Sequence, residues 1–436
     1  MVLQALFDLP TRLLNAFILQ EATQDDNLDY EDVDSTPAML RESPATPEEI
    51  DHHDGSKDIA DHCKVKRNLA AKNRRKRKRA EAKRAYHNPR EHPRHKLDSR
   101  AQYVDFDAND IPVVQTGYIA LDRGLGSRRV YRLAELVGES SKFKFTLINI
   151  KYRASIPILD SQNHIIGVIA NHPKDDSWTE LQKQAADALE SKRSSCHVPA
   201  KERTHRRGKF TTLRAGVSHG GGQRAPGNLK NHKVNAKILE ELNSLEPFKR
   251  FAGFASSVMY TWFNDLYHYY ASTLDKLHLA YPRLHRIFPQ SIFSAVSYNL
   301  GPRTVCFPHK DFANLAFGMC AITALGDYDY TKGGHLILWD LKLVIEFPPG
   351  CTILIPSALL THSNVPVSKN ERRYSFAQYT AGGIFRWVEN GCQSREQYLS
   401  TLSQTQIEED AERNANRWKF GMSLLSDTLK YQCVDE

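Results

Sequence analysis

The sequence predicts an α+β protein whose second half forms a double-stranded β-helix, a jelly-roll barrel, with helices packed around it. Short strand-like runs separated by Gly and Pro turns fill residues 291–390, as is typical of a barrel or sandwich. Runs with apolar residues at helical spacing flank them at 233–290 and 394–432. A highly charged region, residues 1–100, precedes all of these.

Residues 1–100 are polar and poor in β-branched residues, so we expect a disordered tail. Its first part is acidic at 24–61, whereas residues 64–100 carry sixteen Lys or Arg against three Asp or Glu. Such charge segregation is typical of a tail with a polyanionic partner. The run RRKRKR at 74–79 is also typical of a nuclear localisation signal, so we expect an intracellular, nuclear protein.

The composition argues against membrane and secreted classes. No apolar run is long enough to cross a bilayer. The first twenty residues lack an early basic region and a small-residue cleavage site, so we expect no secretory signal. The seven cysteines are scattered and form no C-x-x-C pair, which predicts neither a disulfide framework nor a zinc finger. A reducing compartment fits this cysteine usage.

Residues 101–200 are expected to form a small mixed unit. Three of its runs have strand character: VYRLAELVG, FTLINIKY and HIIGVIANHP. A helix should follow, with Ser177 as its N-cap and Glu180 completing a capping box.

Residues 201–232 are Gly-rich and basic, which favours a flexible linker over a phosphate-binding loop. Residues 233–390 should then hold two helical stretches and the barrel as one core domain, and residues 391–436 the C-terminal helices.

The chemistry is concentrated in the tripeptide His309-Lys310-Asp311 and a second histidine, His362. In a strand, residues i and i+2 point to the same face, so His309 and Asp311 can present an imidazole and a carboxylate to one point. His362 follows the strand-like run CTILIPS. Two histidines and one carboxylate that leave open positions form the facial triad of non-haem iron(II) oxygenases. We therefore predict His309, Asp311 and His362 as catalytic metal ligands for Fe(II).

Arg373 and Ser375 lie eleven and thirteen positions beyond His362 and should share one face of a strand. A keto acid such as 2-oxoglutarate, bound to iron at one end, needs a partner for its far carboxylate. Arginine offers a planar, always charged fork, and a neighbouring hydroxyl satisfies a further lone pair. We predict that Arg373 and Ser375 bind 2-oxoglutarate and that Arg372 faces the other way.

Two further residues are weaker candidates for the same cosubstrate. His335 follows the turn Gly333-Gly334, and a structural edge-strand histidine is the commoner reading. Arg303 precedes His309 by six residues and is another possible carboxylate partner.

The order of these motifs, PHKD, GGHLILW, FPPG, THSNVP and ERRYS, resembles the 2-oxoglutarate/Fe(II)-dependent dioxygenase superfamily over residues 290–390. RRYSFAQYTAGGIFRW, with FGMCAITALG before it, resembles the fungal, transposon-associated branch of TET/JBP-like dioxygenases. The resemblance implies oxidation of the methyl group of 5-methylcytosine or thymine in nucleic acid, with O2 as oxidant. It also implies a base-contacting role for Asn314.

A nucleic-acid substrate also fits the charge distribution. The basic segments 64–100 and 203–209 can neutralise phosphates and supply affinity that falls with salt. A base within a duplex would have to be flipped into the pocket.

Three alternatives remain open. G-G-x-L after H-x-D also occurs in prolyl-type protein hydroxylases. The chain could instead be a transposon-associated nucleic-acid-binding protein with an inert barrel. A cupin with another metal would leave Arg373 and Ser375 without a special task.

Overall fold

The computed structural model of the chain describes residues 101–425, with gaps at 111–112, 115, 122–126, 151–154, 174 and 200–201. The predicted disordered tail, with its basic segment, lies outside the described residues. Among the residues that the structure does describe, no helix is long and apolar enough to span a membrane.

The strands form two sheets. They are β1 Gln102–Tyr103, β2 Thr146–Ile148, β3 Ile156–Leu159, β4 Ile165–Ala170, β5 Thr211–Ser218, β6 Gly227–Asn228, β7 Ala295–Leu300, β8 Cys320–Asp327, β9 Leu336–Leu338, β10 Leu343–Ile345, β11 Thr352–Ile355, β12 His362–Asn364 and β13 Arg372–Tyr379. The large sheet has the order β1-β3-β4-β11-β8-β13-β7-β5-β6, and the small sheet has the order β12-β9-β10-β2. The β1–β3 and β10–β2 pairs are parallel, and the other strand pairs are antiparallel.

Helices surround the sheets. They are α1 Leu133–Leu136, α2 Trp178–Arg193, α3 Lys233–Ser244, α4 Glu246–Trp262, α5 Asn264–Ala280, α6 Gly382–Glu389, α7 Arg395–Ser400, α8 Gln404–Ala415 and α9 Arg417–Ser423. The predicted α+β composition is thus confirmed, with helices before and after the run of short strands.

After β8 the chain passes several times from one sheet to the other. Strands β7 and β8 both lie in the large sheet. The segment between them contains His309, which forms a bridge with His362 of the small sheet. The chain then runs through β9 and β10 in the small sheet, β11 in the large, β12 in the small and β13 in the large. Within the described part of the chain, the strand pairings do not close the two sheets into one barrel.

At strands β7 and β13, the large sheet has one apolar face and one polar face. On β7 and β13, Val296, Tyr298, Tyr374 and Phe376 pack against helices α2 and α4 in one buried cluster. The residues between them point the other way, because side chains alternate along a strand. The two faces thus separate a core that stabilises the fold from a surface that is free to carry chemistry.

The sequence-based expectation for residues 101–200 differs from the structure in how these residues pack. Their strands β1, β3 and β4 extend the large sheet, and β2 extends the small one. VYRLAELVG, expected as a strand, contains helix α1. A short apolar run cannot be assigned to helix or strand by its period alone, because both fit.

The capping prediction for helix α2 is wrong in its detail. Ser177 is the N-cap, but its backbone is helical and its hydroxyl makes no cap hydrogen bond. The hydroxyl instead donates to Asp175 Oδ1 at 2.7 Å. A capping side chain needs an extended backbone to reach the first free N–H groups, so the box does not form.

The segment expected as a linker, 201–232, contains the eight-residue strand β5. Leu213, Ala215 and Val217 alternate toward the core, and β5 pairs with β7 from Thr211 to Gly216. The glycine and arginine content of the segment obscured this two-residue period. The remaining glycines do form a turn, at Gly220–Gly222.

Candidate metal centre and its cavity

The three predicted metal ligands meet between the two sheets. His309 and His362 are joined by two backbone hydrogen bonds, of 3.1 Å from His309 N and 2.9 Å from His362 N. The backbone N–H of Asp311 donates to Ser357 O at 2.9 Å. His309 forms a single bridge rather than part of a regular strand, which differs from the expected strand geometry. The convergence of the side chains does not need a regular strand, because the bridge to β12 holds His309 in place.

The ligand atoms lie within 4.8 Å of one another. His309 Nε2 is 3.9 Å from Asp311 Oδ1, and His362 Nε2 is 3.7 Å from Asp311 Oδ2. Both histidines are buried. The donor set of two imidazoles and one carboxylate fits a divalent transition metal and leaves coordination positions open.

Hydrogen bonds orient both imidazole rings. His309 Nδ1 lies 2.7 Å from Phe307 O, and His362 Nδ1 lies 2.9 Å from Leu360 O. A carbonyl oxygen only accepts, so Nδ1 carries the proton in each ring and Nε2 keeps its lone pair. Metal-ligating histidines in proteins are oriented in this way.

The protonation states also suit a metal. Burial, followed by the charge of His362, lowers the pKa of His309 well below its usual value. Burial acts to raise the pKa of Asp311, but His309 and Arg207 outweigh it and hold that pKa below its usual range. A neutral imidazole and an ionised carboxylate are the forms that bind metal.

Arg373 and Ser375 project from β13 into the same cavity as the ligands, and both are buried. Arg373 Nη1 donates to Thr304 O at 3.3 Å, while its Nε is buried and has no hydrogen-bond partner among the described residues. A buried guanidinium with an unused donor fits an anionic ligand, because an unsatisfied buried donor is costly. Arg372 points away, as expected, and contacts Asp187 of α2 at 3.2 Å.

The two weaker candidates do not line the cavity. Arg303 is exposed and donates to Lys369 O at 2.8 Å. His335 is fully buried, and neither ring nitrogen has a hydrogen-bond partner in the described region. Burial, followed by the charge of Arg373, lowers the pKa of His335 to about 4, so the ring is neutral. Neither residue is placed to hold a ligand directly.

Asn314 does line the cavity, three residues beyond Asp311. Its amide donates to Ser357 Oγ at 3.1 Å. It lies at the edge of the metal site, in the loop that pairs with Ala381.

A tight hairpin lies beside the metal ligands, in the segment that the sequence analysis interpreted as a linker. It spans residues 205–208 and is closed by a bridge between His205 and Gly208. Arg207 O accepts from Phe307 N at 2.8 Å, and Arg206 Nη1 donates to Lys310 O at 2.9 Å. Arg207 Nη1 lies 3.5 Å from Asp311 Oδ1. The segment 203–209, predicted to neutralise phosphates, therefore brings two arginines to the mouth of the cavity.

The close approach of this hairpin depends on Gly208. A Cβ at this position would lie 2.6 Å from Val305 O and 2.3 Å from the Phe210 ring, so a side chain would separate the hairpin from the ligand-bearing segment.

The cavity has a volume of about 130 Å³ and opens to solvent at its mouth. Besides the predicted ligands and the two arginines of the basic segment 203–209, it is lined by polar and ionisable side chains that sequence reasoning passed over, including Arg214, Ser297, Asn299, Cys306, Cys320 and Tyr379. The available signal was the pair Ser297 and Asn299, polar residues two apart in an otherwise apolar strand. Arg214 could not be identified, because its segment was interpreted as a loop.

The two cysteines do not compete as ligands. Burial raises the pKa of Cys306 to about 11 and raises that of Cys320 further. Within the described residues, the cluster of possible ligand atoms holds His309, Asp311 and His362 and neither cysteine, so its donor set is nitrogen and oxygen.

No family model and no curated relative matches the sequence. Solved structures that are similar include NgTET1 in complex with 5mC DNA, at 14% identity and a TM-score of 0.39, covering 55% of this chain and 82% of that one. A 2OG-Fe(II) oxygenase family protein from Burkholderia pseudomallei matches at 18% identity and a TM-score of 0.27, covering 50% and 84%. A Pseudomonas putida prolyl-4-hydroxylase matches at 16% identity and a TM-score of 0.23, covering 46% and 85%.

The names of these structures include the TET and prolyl-hydroxylase classes that the motifs of the sequence resemble. The similarity is low in every case, so the functional argument rests on the side chains of the cavity.

Proposed function

We propose that the protein is a 2-oxoglutarate- and Fe(II)-dependent dioxygenase that oxidises the methyl group of 5-methylcytosine or thymine in nucleic acid. One observation carries the proposal: a two-histidine, one-carboxylate centre shares a cavity with the buried Arg373 and Ser375. The passage of the chain between the two sheets supports a double-stranded β-helix, the architecture expected for such an enzyme.

The residues would divide the work between metal and cosubstrate. His309 and His362 would bind iron through Nε2, and Asp311 through its carboxylate. Arg373 and Ser375 would hold the far carboxylate of 2-oxoglutarate through charge-assisted hydrogen bonds. When bound, iron, 2-oxoglutarate and O2 supply the oxidising power for an unactivated C–H bond, and the protein supplies orientation and exclusion of water.

Positive charge at the cavity supports a nucleic-acid substrate. Arg206, Arg207 and Arg214 all line the cavity, and Arg206 is exposed at its mouth. Arginines so placed can bind the phosphates that flank a flipped base. Asn314 is available to contact the base. The basic tail 64–100 would add affinity without regard to base sequence and direct the protein to the nucleus.

The first experiment tests the metal centre and the nucleic-acid substrate together. Purified protein is incubated with Fe(II), ascorbate, 2-oxoglutarate and DNA that contains 5-methylcytosine or thymine, and oxidised bases are counted by mass spectrometry. The His309→Ala variant is the control without a complete triad, and Arg303→Ala is a matched control outside the cavity. We expect oxidised base from the wild type and from Arg303→Ala only.

The other outcomes separate the alternatives. Succinate released by the wild type without oxidised base would keep the iron enzyme and reject this substrate, and prolyl peptides would be tested next. If neither product forms in folded, metal-loaded protein, the chain is better described as a nucleic-acid-binding protein with an inert barrel.

A further inference from the structure

We infer that Asn299 is a positioning residue: its hydrogen bond to Ser375 turns the Ser375 hydroxyl into a donor for the far carboxylate of 2-oxoglutarate. The inference rests on the proposed function and assigns a task to a side chain that the motifs do not include.

Thr212, Asn299 and Ser375 form one row across three adjacent strands. Thr212 of β5 is the register partner of Asn299 on β7, and Asn299 is the register partner of Ser375 on β13. Register partners of neighbouring strands point to the same face of the sheet and lie close together. Asn299 and Ser375 of this row line the cavity, and so does Arg373, two residues before Ser375 on the same face.

Along the row, each residue donates a hydrogen bond to the next, from Thr212 to Asn299 and from Asn299 to Ser375. The Thr212 hydroxyl donates to Asn299 Oδ1 at 3.1 Å, and Asn299 Nδ2 donates to Ser375 Oγ at 2.9 Å. Ser297, also on β7, places its hydroxyl 3.5 Å from the same Asn299 Oδ1. Hydroxyl groups on Thr212 and Ser297 thus surround the oxygen of the amide, which leaves its nitrogen to face Ser375.

The direction matters because a hydroxyl has only one proton. Ser375 accepts from Asn299, so its own proton is free to point into the cavity. A carboxylate can only accept hydrogen bonds, so it binds a donating hydroxyl and is repelled by one that offers a lone pair. With the amide reversed, Asn299 Oδ1 would take the Ser375 proton and leave Arg373 as the remaining donor of the pair.

Binding of 2-oxoglutarate to protein loaded with Mn(II) in place of iron tests this without turnover. The dissociation constant is measured by calorimetry for wild type, Asn299→Asp, Ser375→Ala and the double variant. An aspartate can only accept, so it would capture the Ser375 proton. Asn109→Asp makes the same change at an exposed residue outside the cavity.

We expect Asn299→Asp to weaken 2-oxoglutarate binding by roughly tenfold to a hundredfold, as for loss of a hydrogen bond to a charged group. In the Ser375→Ala protein the same substitution should cost less, because the hydroxyl that it misdirects is gone. Thr212→Val, which removes the group that orients the amide, should weaken binding by a smaller factor. Asn109→Asp should bind as the wild type does.

Equal costs of Asn299→Asp with and without the Ser375 hydroxyl would show that the added charge acts by simple repulsion, and would overturn the inference. Unchanged binding by Asn299→Asp would overturn it as well. If the wild type loaded with Mn(II) binds no 2-oxoglutarate, the proposed cosubstrate fails and the role of Asn299 fails with it. Thermal unfolding of each variant shows whether a loss of binding comes from a loss of fold.

Discussion

At the residue scale, the cavity separates Arg373, the main sequence-based candidate for binding the cosubstrate, from Arg303, the weaker one. Arg373 is buried beside the metal ligands, whereas Arg303 is exposed and contacts the backbone of Lys369. Their backbones are bridged, yet only one side chain enters the cavity. Burial makes the difference, because a guanidinium shielded from water binds a carboxylate more strongly than one in solvent.

Because Arg373 is buried in the cavity and Arg303 is exposed outside it, we predict that variants of the two arginines differ in their KM for 2-oxoglutarate. Arg373→Lys keeps the charge but loses the planar fork, so the KM for 2-oxoglutarate should rise about tenfold or more. Arg303→Lys should leave that KM unchanged. Steady-state rates of succinate release at varied 2-oxoglutarate measure both, and equal KM values for the two variants would contradict the assignment.

Arg206 predicts a second effect, on nucleic-acid affinity. Its exposed guanidinium at the cavity mouth should contact one phosphate, so Arg206→Ala should reduce the slope of log K against log salt by about 1. Fluorescence anisotropy with labelled DNA over a range of salt concentrations measures this slope. Arg203→Ala, in the same basic segment but outside the cavity, should change it less. A larger effect at Arg203 would place the phosphate contact elsewhere.

At the scale of elements, one carboxylate connects three helices to the N-terminal part of the described chain. Glu389 at the end of α6 accepts hydrogen bonds from Tyr118, from Tyr269 of α5 and from Arg417 of α9. The Arg417 guanidinium also lies 3.9 Å from the centre of the Tyr118 ring. Arg417 is buried, so its positive charge relies on the Glu389 carboxylate for compensation.

We therefore expect Glu389→Ala to reduce the free energy of unfolding by about 3 kcal/mol, because it leaves a buried charge without its partner. Urea unfolding followed by circular dichroism measures the change. Glu409→Ala, on the exposed face of α8, is the matched control and should have little effect. A loss equal to that of the control would mean that water already compensates Arg417.

The elements also show where sequence reasoning succeeds. The short strands between Gly and Pro turns formed at the expected places, since those turns and the two-residue period are local properties. Strand β5 was missed because the surrounding segment 201–232 is rich in glycine and arginine, which is typical of loops. This segment forms a strand because it pairs with β7. A partner some eighty residues away cannot be recognised from a local sequence pattern.

At the scale of the whole molecule, buried neutral histidines make stability depend on pH. Burial, followed by the charge of Arg386, lowers the pKa of His219 to about 4, whereas an unfolded histidine titrates near 6.5. Between those pH values the unfolded chain binds a proton that the folded chain does not. The free energy of unfolding must therefore fall as the pH drops from about 6.5 toward 4.

We predict that the free energy of unfolding falls less at low pH in the His219→Phe variant, which keeps an aromatic ring against Trp387. Between pH 7 and pH 5.5 the wild type should lose on the order of 1 kcal/mol more than the variant. Urea unfolding at the two pH values measures the difference. His285→Gln, at an exposed histidine, serves as the control, and an identical pH dependence in wild type and His219→Phe would contradict the prediction.

The sequence by itself determined the α+β class, the run of short strands, and the identity of the metal and cosubstrate candidates, because these depend on residue type and short spacing. Only the tertiary structure decided that Arg373 rather than Arg303 enters the cavity, that strands β1 to β5 extend the sheets, and that Arg206, Arg207 and Asn299 line the cavity. The physical reason is that burial and strand pairing bring together residues far apart along the chain, such as Thr146 and Leu343, and no local pattern records which ones meet.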